Sequence, residues 1–488
     1  MLLMNKNQIV AKFHNTGVLA ENYVFDEISG KLPIGLNEVN EWLENRKASK
    51  HNASIRKIME ECGCGTTSGF IKVTHAASLN DTFWVKTEQE TLRWEDVSLY
   101  QNEFNETISK LAFEGASLKD FQFSGTFPEF STEGSFKKCW KKENHGIFLY
   151  KQGSEGARNA GLEPYCEALA SEIALQLCPG CVPYHLVKLH GKLATKCQLF
   201  TDETYGYVPM AKIPLENKTL DTVLQYFSSI GSEDAFRRML VLDALTFNVD
   251  RHLGNYGILI HNDTLEPIKM APVFDLNMAM LPYVEEDEFK KIGTKLLEYG
   301  PRIGDDFTRV GQLAVTSEIR KDLISLKDFE FSFQGDLNFS KKRVKWLEEL
   351  VHKQAAALLF KETLYTKDVF IPDIKPEKPK PEKKDVSEQE SYLEKMKTSI
   401  EKNLTSTCFI NEREDGNLEL EIIPKQAPKL TFCVDGKTKE LTVKENDEEL
   451  EFGKFLLKYE SLHDFSKKLT RIIDQMETGK LEKEEIER

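Results

Sequence analysis

Three oxygen-bearing side chains are concentrated in two short stretches, "NVDRHLGNYG" and "APVFDLN": Asp250, Asn255 and Asp275. Asp250 falls just past an apolar helical pattern, where a side chain can face a cleft. Asn255 lies five residues on, and Asp275 another twenty. "YGILIHN" reads as a strand leaving the first stretch, and "EPIKMAPVF" as a second strand or turn. Such a return brings Asp275 back beside Asn255. An amide oxygen and a carboxylate that converge are hard ligands, suited to Mg²⁺ held together with substrate phosphates. A separate Asp can accept a hydroxyl proton, and metal plus base is what phosphoryl transfer needs. Taken singly, each of the three would serve as a loop cap; together, in this order, they favour catalysis. Asp243, inside the helical pattern, reads as structural. His252 is a candidate for ordering the catalytic loop, with a satisfied structural histidine as the plain alternative.

The two stretches resemble the catalytic core of the HipA-like serine/threonine kinases, a bacterial branch of the protein-kinase-like fold. The resemblance covers roughly residues 125–365. It implies that Asp250 is the base and that Asn255 and Asp275 hold Mg²⁺, with "DLN" where most protein kinases have Asp-Phe-Gly. It also implies a phosphate-holding Lys on a strand and a Glu on the following helix that positions it. "IFLYKQGS" offers Lys151. "GLEPYCEALA" offers Glu163, favoured over Glu167 and Glu172 by the family's similar Glu-x-x-Cys-x-Ala-Leu-Ala pattern. "STEGSFKKCWKK" takes the place of the phosphate-covering loop. Backbone amides there, around Gly134 and Ser135, with Lys137 or Lys138, could cradle phosphate. "CQLF" falls at the link between lobes, which makes the backbone groups of Gln198 and Phe200 candidates for the adenine edge. The implied cofactors are ATP and Mg²⁺. The implied substrate is a protein, and HipA relatives often act as toxins with a DNA-binding antitoxin partner. Two other readings stay open: a small-molecule or lipid kinase on the same fold, and a pseudokinase acting as a regulatory binding module.

Several elements must position these groups. "HGIFLYKQ" reads as a strand. "LEPYCEALASEIALQLC" reads as a helix, with Leu169, Ile173 and Leu177 four apart. "YHLVKLHGKLATKCQLF" reads as two strands joined at His190-Gly191. "SEDAFRRMLVLDALTF" is a helix with Ser232 as its cap and Phe236, Leu240 and Phe247 on a buried face. Another helix spans "KKRVKWLEELVHKQAAALLFKETL". Upstream, "LNEVNEWLENRKA" is helical, and β-branched and aromatic residues in "TSGFIKVTHAASLNDTFWVK" suggest short strands. "CPGC" at Cys178–Cys181 follows a helix, so Pro179-Gly180 reads as stop chemistry rather than half a zinc site.

The chain has 488 residues, which is too many for one core. The expected architecture is α+β. A small accessory region (1–124) packs on a two-lobed kinase-like domain (125–370, with lobes of about 125–200 and 201–370). Four prolines between 372 and 381 mark a semi-rigid linker over 371–385. A small α+β module (386–488) follows. In it, Asp-Gly pairs predict two hairpins, and Leu462, Phe465, Leu469, Ile472, Ile473 and Met476 predict a final helix. A net charge of −14 argues against a sequence-independent grip on nucleic acid. There is no apolar run of about 18 residues to cross a membrane and no secretory signal. The expected location is the cytoplasm, with reduced cysteines.

Overall fold

The computed structural model describes residues 1–17, 21–49, 52–115, 125–155, 159–292, 296, 300–304 and 306–359. Beyond these it describes the strands between 407 and 456. The chain divides into two compact units, Met1–Pro372 and Asp373–Arg488.

In the second unit, β12 (Thr407–Glu412) pairs antiparallel with β13 (Leu418–Ile423), and β14 (Leu430–Val434) with β15 (Glu440–Glu445). These are the four strands flanking the two Asp-Gly pairs. The predicted linker and final helix lie outside the described residues.

The first unit mixes helix and sheet. Near the N-terminus, β1 (Leu2–Asn5), β2 (Gln8–Asn15), β3 (Tyr23–Ile28) and β4 (Phe83–Lys86) form an antiparallel sheet in the order β3-β2-β1-β4. Helices α1 (Val39–Glu44), α2 (Ala53–Glu61) and α3 (Thr67–Thr74) lie between β3 and β4 in the chain. The strand expected over "TSGFIKVT" is therefore a helix. Thr66 caps it by accepting the Gly69 N–H at 3.0 Å, and Phe70 and Ile71 turn into the core. Burial of one helical face and a good cap outweigh β propensity here.

Helices α4 (Trp94–Val97) and α5 (Glu106–Glu114) lead to a second sheet. Its strands are β5 (Lys138–Glu143), β6 (Gly146–Lys151), β7 (His185–Leu189) and β8 (Lys192–Gln198), in the order β5-β6-β8-β7. His190 and Gly191 form the β7–β8 turn with φ of 50° and 76°, the left-handed pair that a two-residue hairpin requires. The sheet uses the period of two directly. Tyr150, Cys139 and Ala194 cluster with Phe113 of α5 on one face. Alternate residues Lys151 and Thr195 face Glu167 of helix α6 (Glu163–Leu177) on the other. Helix α6 is buried around most of its circumference and also packs on the helix Glu233–Thr246, as expected of an interior helix.

A third sheet, β9 (Tyr205–Pro209), β10 (Gly257–His261) and β11 (Pro267–Met270), has the order β11-β10-β9. Helices α7 (Leu220–Ser229) and α8 (Glu233–Thr246) lie between β9 and β10 in sequence. Further helices occupy Phe307–Ala314, Ser317–Ser325 and Lys341–Leu359. Ser232 does not cap α8 through its side chain; its Oγ accepts the Met270 N–H at 2.9 Å. A buried backbone donor without another partner costs more than a frayed helix start.

The main hydrophobic core of the first unit joins Leu3 and Phe13 to Leu169, Leu242 and Leu358, with smaller clusters beside it. Residues upstream of 125 are part of it. Cys178 and Cys181 are buried free thiols, and the Cys181 N–H closes a turn on the Cys178 carbonyl at 3.1 Å. No helix among the described residues is long and apolar enough to cross a membrane.

Candidate active site

Helix α8 delivers the first loop. Its last residues are buried, and Phe247 then adopts φ 52° and closes the helix on the Asp243 carbonyl. A left-handed residue without glycine costs roughly 1–2 kcal/mol. Here it turns residues 248–255 out of the helix axis. Asn248 Oδ1 accepts the Asp250 N–H at 3.1 Å, and Asn255 Nδ2 donates to the Asp250 carbonyl at 3.0 Å. The first and last candidate residues of the loop, Asp250 and Asn255, are thus tied to each other. The amide bond also leaves Asn255 Oδ1 free to act as an acceptor.

The strongest tie is made by a residue outside the sequence-derived candidates. Arg251 is 2% exposed and its guanidinium forms a bidentate pair with Asp243, at 2.9 and 3.0 Å. One further nitrogen, Nη1, donates to two carbonyls: Asn255 at 2.9 Å and Phe274 at 2.7 Å. The loop carrying Asn255 and the loop carrying Asp275 therefore meet on a single buried cation. The β10–β11 hairpin makes that possible. Ile258 lies opposite Met270, so the chain returns to its starting point five residues before Asp275.

Asp275 sits at φ 55°, a conformation Asp tolerates better than most residues. Its N–H donates to Tyr184 Oη at 2.9 Å, and the next N–H, of Leu276, reaches Glu167 at 3.3 Å. Lys151 Nζ then bridges the cluster, at 2.7 Å from Asp275 Oδ1 and 2.6 Å from Glu167 Oε1. Thr195 Oγ1 donates to the other Glu167 oxygen at 2.6 Å.

The Lys151 partner is therefore Glu167, not Glu163. Glu163 is one helical turn earlier, and its carboxylate accepts the Ser154 N–H at 3.2 Å and the Tyr283 hydroxyl at 2.7 Å. Those two donors hold it away from the strand, whereas Glu167 lies over the sheet where Lys151 and Thr195 point.

Charge organises the cluster. Burial pulls the Lys151 ammonium down, but Asp275 and Glu167 outweigh it and hold the group above its ordinary value. Burial pushes the Asp275 carboxyl up, and Lys151, Lys138 and Arg251 more than reverse that, leaving it below the usual carboxylate range. Glu167 is raised, first by burial and despite Lys151. Lys138 is drawn down to about 8 by burial and then by the neighbouring Lys151 charge. The buried Lys138 donates to the Glu133 carbonyl. It thereby folds the 131–135 loop toward the cluster. Gly134 stands at φ 96°, and a Cβ there would run into the Lys138 ammonium. The left-handed backbone favours glycine at that point. Ser135 is exposed, and Lys137 is turned aside to Glu155 at 2.7 Å.

The other predicted residues are placed as follows. Gln198 ends the β6–β8 ladder opposite Phe148 and is exposed, its side-chain amide 3.3 Å from the His145 carbonyl. Phe200 packs on Phe274, the residue before Asp275, with ring centroids 5.2 Å apart. His252 is exposed, and its Nδ1 accepts the Gly254 N–H at 3.0 Å, an interaction within its own loop. Asp250 is partly exposed, with Arg302 3.7 Å away.

Among the described residues, no group of three or more His, Cys, Asp or Glu forms a metal cage. Asn255 Oδ1 and the Asp275 carboxylate are instead a pair of hard oxygen donors. That set fits Mg²⁺ bound jointly with phosphates, which typically takes one or two carboxylates from the protein.

No protein-family model matches this chain, and no curated protein does. Solved structures do. The Helicobacter pylori proinflammatory kinase CtkA is similar at 18% identity, over 48% of this chain and 92% of that one, with a TM-score of 0.35. HipA of the Shewanella oneidensis MR-1 toxin–antitoxin system was solved with HipB and operator DNA. It is similar at 11% identity, over 76% of this chain and 99% of that one, with a TM-score of 0.40. A HipA structure is thus among those this chain resembles. The chemistry below rests on the chain's own side chains.

Proposed function

We propose that the chain is an ATP- and Mg²⁺-dependent protein kinase of HipA-like type that acts on Ser or Thr. The observation that carries this reading is the joint placement of Lys151 between Glu167 and Asp275, and of Asn255 and Phe274 on Arg251. A buried, strongly cationic lysine beside two oxygen donors suits a nucleotide's phosphates. Lys151 binds and orients them, with Glu167 fixing its direction. Asn255 and Asp275 hold the ion, which supplies charge neutralisation when bound. Asp250, at the partly exposed edge of the loop, orients the acceptor hydroxyl and takes its proton. Lys138 and the 131–135 backbone cover the phosphates, and the segment at Gln198–Phe200 meets the base. Positioning and electrostatics supply most of the rate in such transfers. On this reading residues 125–370 are the catalytic domain and 1–124 an accessory region. The protein works in the cytoplasm, and a regulatory partner of antitoxin type would restrain it.

The test is mass spectrometry of protein incubated with ATP and Mg²⁺, beside an Asp250→Ala control, together with thermal shift of wild type and Asp275→Asn. Phosphate on Ser or Thr in the wild type alone, with an ATP–Mg²⁺ shift lost in Asp275→Asn, is the expected result. Label appearing only in an added metabolite would replace the protein-kinase reading. No shift in either protein would leave a binding module.

A further inference from the structure

Outside the Lys151 cluster, a cavity of about 40 Å³ lies where three parts of the first unit meet. Its walls are Trp42, Arg46 and Asp81 from the N-terminal region, Ser131 and Glu133 from the segment before β5, and Tyr207, Val208, Pro209 and Lys212 at and just past the end of β9. Asn45 and Asn80 are exposed at its rim, so it opens to solvent.

The charged groups here are not equivalent. Arg46 is committed: it pairs bidentately with Asp81 at 2.8 and 3.0 Å, donates to the carbonyls of Ala76 and Phe83, and stacks on Trp42. Lys212 is not. Its ammonium has no hydrogen-bond or ion-pair partner among the described residues, though Arg46, Glu133, Asp81 and Glu41 surround it at longer range. Burial and then Arg46 lower its pKa. Its backbone is fixed, because Gly35 packs so closely beneath that a Cβ would lie 2.6 Å from the Lys212 carbonyl oxygen. A half-buried cation with carboxylates only at longer range loses hydration that those charges do not fully restore.

This lysine is also attached to the catalytic loop. The Met210 N–H donates to Tyr256, the Ala211 N–H to Leu253, and the Tyr207 hydroxyl to Gly254, each at 2.9 Å. A ligand at Lys212 therefore lies beside the segment bearing Asp250 and Asn255. Size narrows its identity. A water needs roughly 10–15 Å³ by this measure, so the cavity holds about three small heavy atoms, the size of a carboxylate.

We propose that this cavity is a subsite for the carboxylate of an acidic side chain in the protein substrate, held by Lys212. The proposal rests on the protein-kinase reading and names a feature of the substrate it would select. Asp81 is satisfied by Arg46 and does not compete. Glu133, exposed on a loop, is the group that an incoming carboxylate displaces from the neighbourhood of Lys212.

The experiment is direct binding without ATP. Fluorescent Ser-centred peptides carry a single Glu or Gln at each flanking position in turn, and their anisotropy is read with wild type, Lys212→Met, Lys212→Arg and Glu133→Gln. The Met variant keeps the apolar stem, and the Arg variant keeps the charge. At one flanking position wild type should prefer Glu over Gln roughly tenfold. The preference should vanish in Lys212→Met, survive in Lys212→Arg and increase in Glu133→Gln. No Glu preference at any position in wild type overturns the proposal, as does a preference retained in Lys212→Met. So does free acetate thermally stabilising wild type over Lys212→Met while no peptide discriminates. A chain that phosphorylates protein but shows no discrimination sinks the subsite alone. One that discriminates but transfers no phosphate sinks the kinase reading and leaves a carboxylate-binding cleft.

Discussion

Replacing Arg251 with Met tests the claim that one buried cation assembles the site. The side chain is 2% exposed and its Asp243 partner 7%. Removing the guanidinium leaves Asp243 as a buried carboxylate with Asn248 Nδ2, at 2.9 Å, as its remaining side-chain donor. Breaking such a pair costs about 3–5 kcal/mol. The carbonyls of Asn255 and Phe274 each lose a donor as well, worth roughly 1–3 kcal/mol apiece unless water reaches them. Arg251→Met should therefore lower the thermal midpoint. It should also raise amide hydrogen exchange in peptides covering 248–257 and 272–277 well above that in β5–β8. Adding Asp243→Leu removes the stranded charge, so the double variant should recover most of the lost stability. It should not recover phosphotransfer, because nothing then holds the two carbonyls together. Unchanged exchange in the single variant would refute the argument. So would recovery of activity alongside stability in the double.

Three further substitutions bear on the lysine and on a carboxylate away from the site. Glu167→Gln should cut kcat/KM by roughly 10–100-fold, the worth of one charge-assisted hydrogen bond, whereas Glu163→Gln should change it less than about threefold, because its partners are a neutral hydroxyl and an amide; steady-state kinetics in the reverse order would restore Glu163 as the lysine partner. Glu129 is buried, accepts from Ser109 Oγ and Trp140 N–H on one oxygen, and has no partner on the other. Burial raises its pKa to about 7. The folded form then binds the proton more tightly than the unfolded one, so this group's contribution to stability falls as pH rises from about 4.5 to about 7, by about 3 kcal/mol in all. Melting curves of Glu129→Gln should gain on wild type between pH 5 and pH 8, and a difference independent of pH would contradict the assignment.

The sequence disclosed what depends on spacing along one element or across one hairpin. The β6 strand, α6, the β7–β8 hairpin with His190-Gly191, α8, and the return from Asn255 to Asp275 all follow from periodicity and turn chemistry. It did not disclose choices made in three dimensions. Glu163 and Glu167 are one turn apart on the same helix, so a linear pattern cannot say which meets Lys151; the position of the helix over Thr195 decides it. Arg251 stands between Asp250 and His252, and its own type and spacing carry no motif. A signal existed, since an Arg eight residues after a buried helical Asp is spaced to pair with it once the helix ends. Capping is a local rule and makes Ser232 a cap, yet its hydroxyl serves Met270, 38 residues away. The α3 segment shows the same limit: its β-branched residues were outvoted by a cap and a buried face.

Helix α5 closes the far side of the sheet that carries Lys151, with Phe113 set against Cys139, Tyr150 and Ala194. The sheet bearing Lys151 thus borrows its outer wall from upstream of residue 125. An expression fragment trimmed to the motif-bearing segment would leave that wall wet, and would be expected to precipitate rather than report on chemistry. The same dependence means that the α5 segment cannot be exchanged as a cassette without also redesigning the strands it covers.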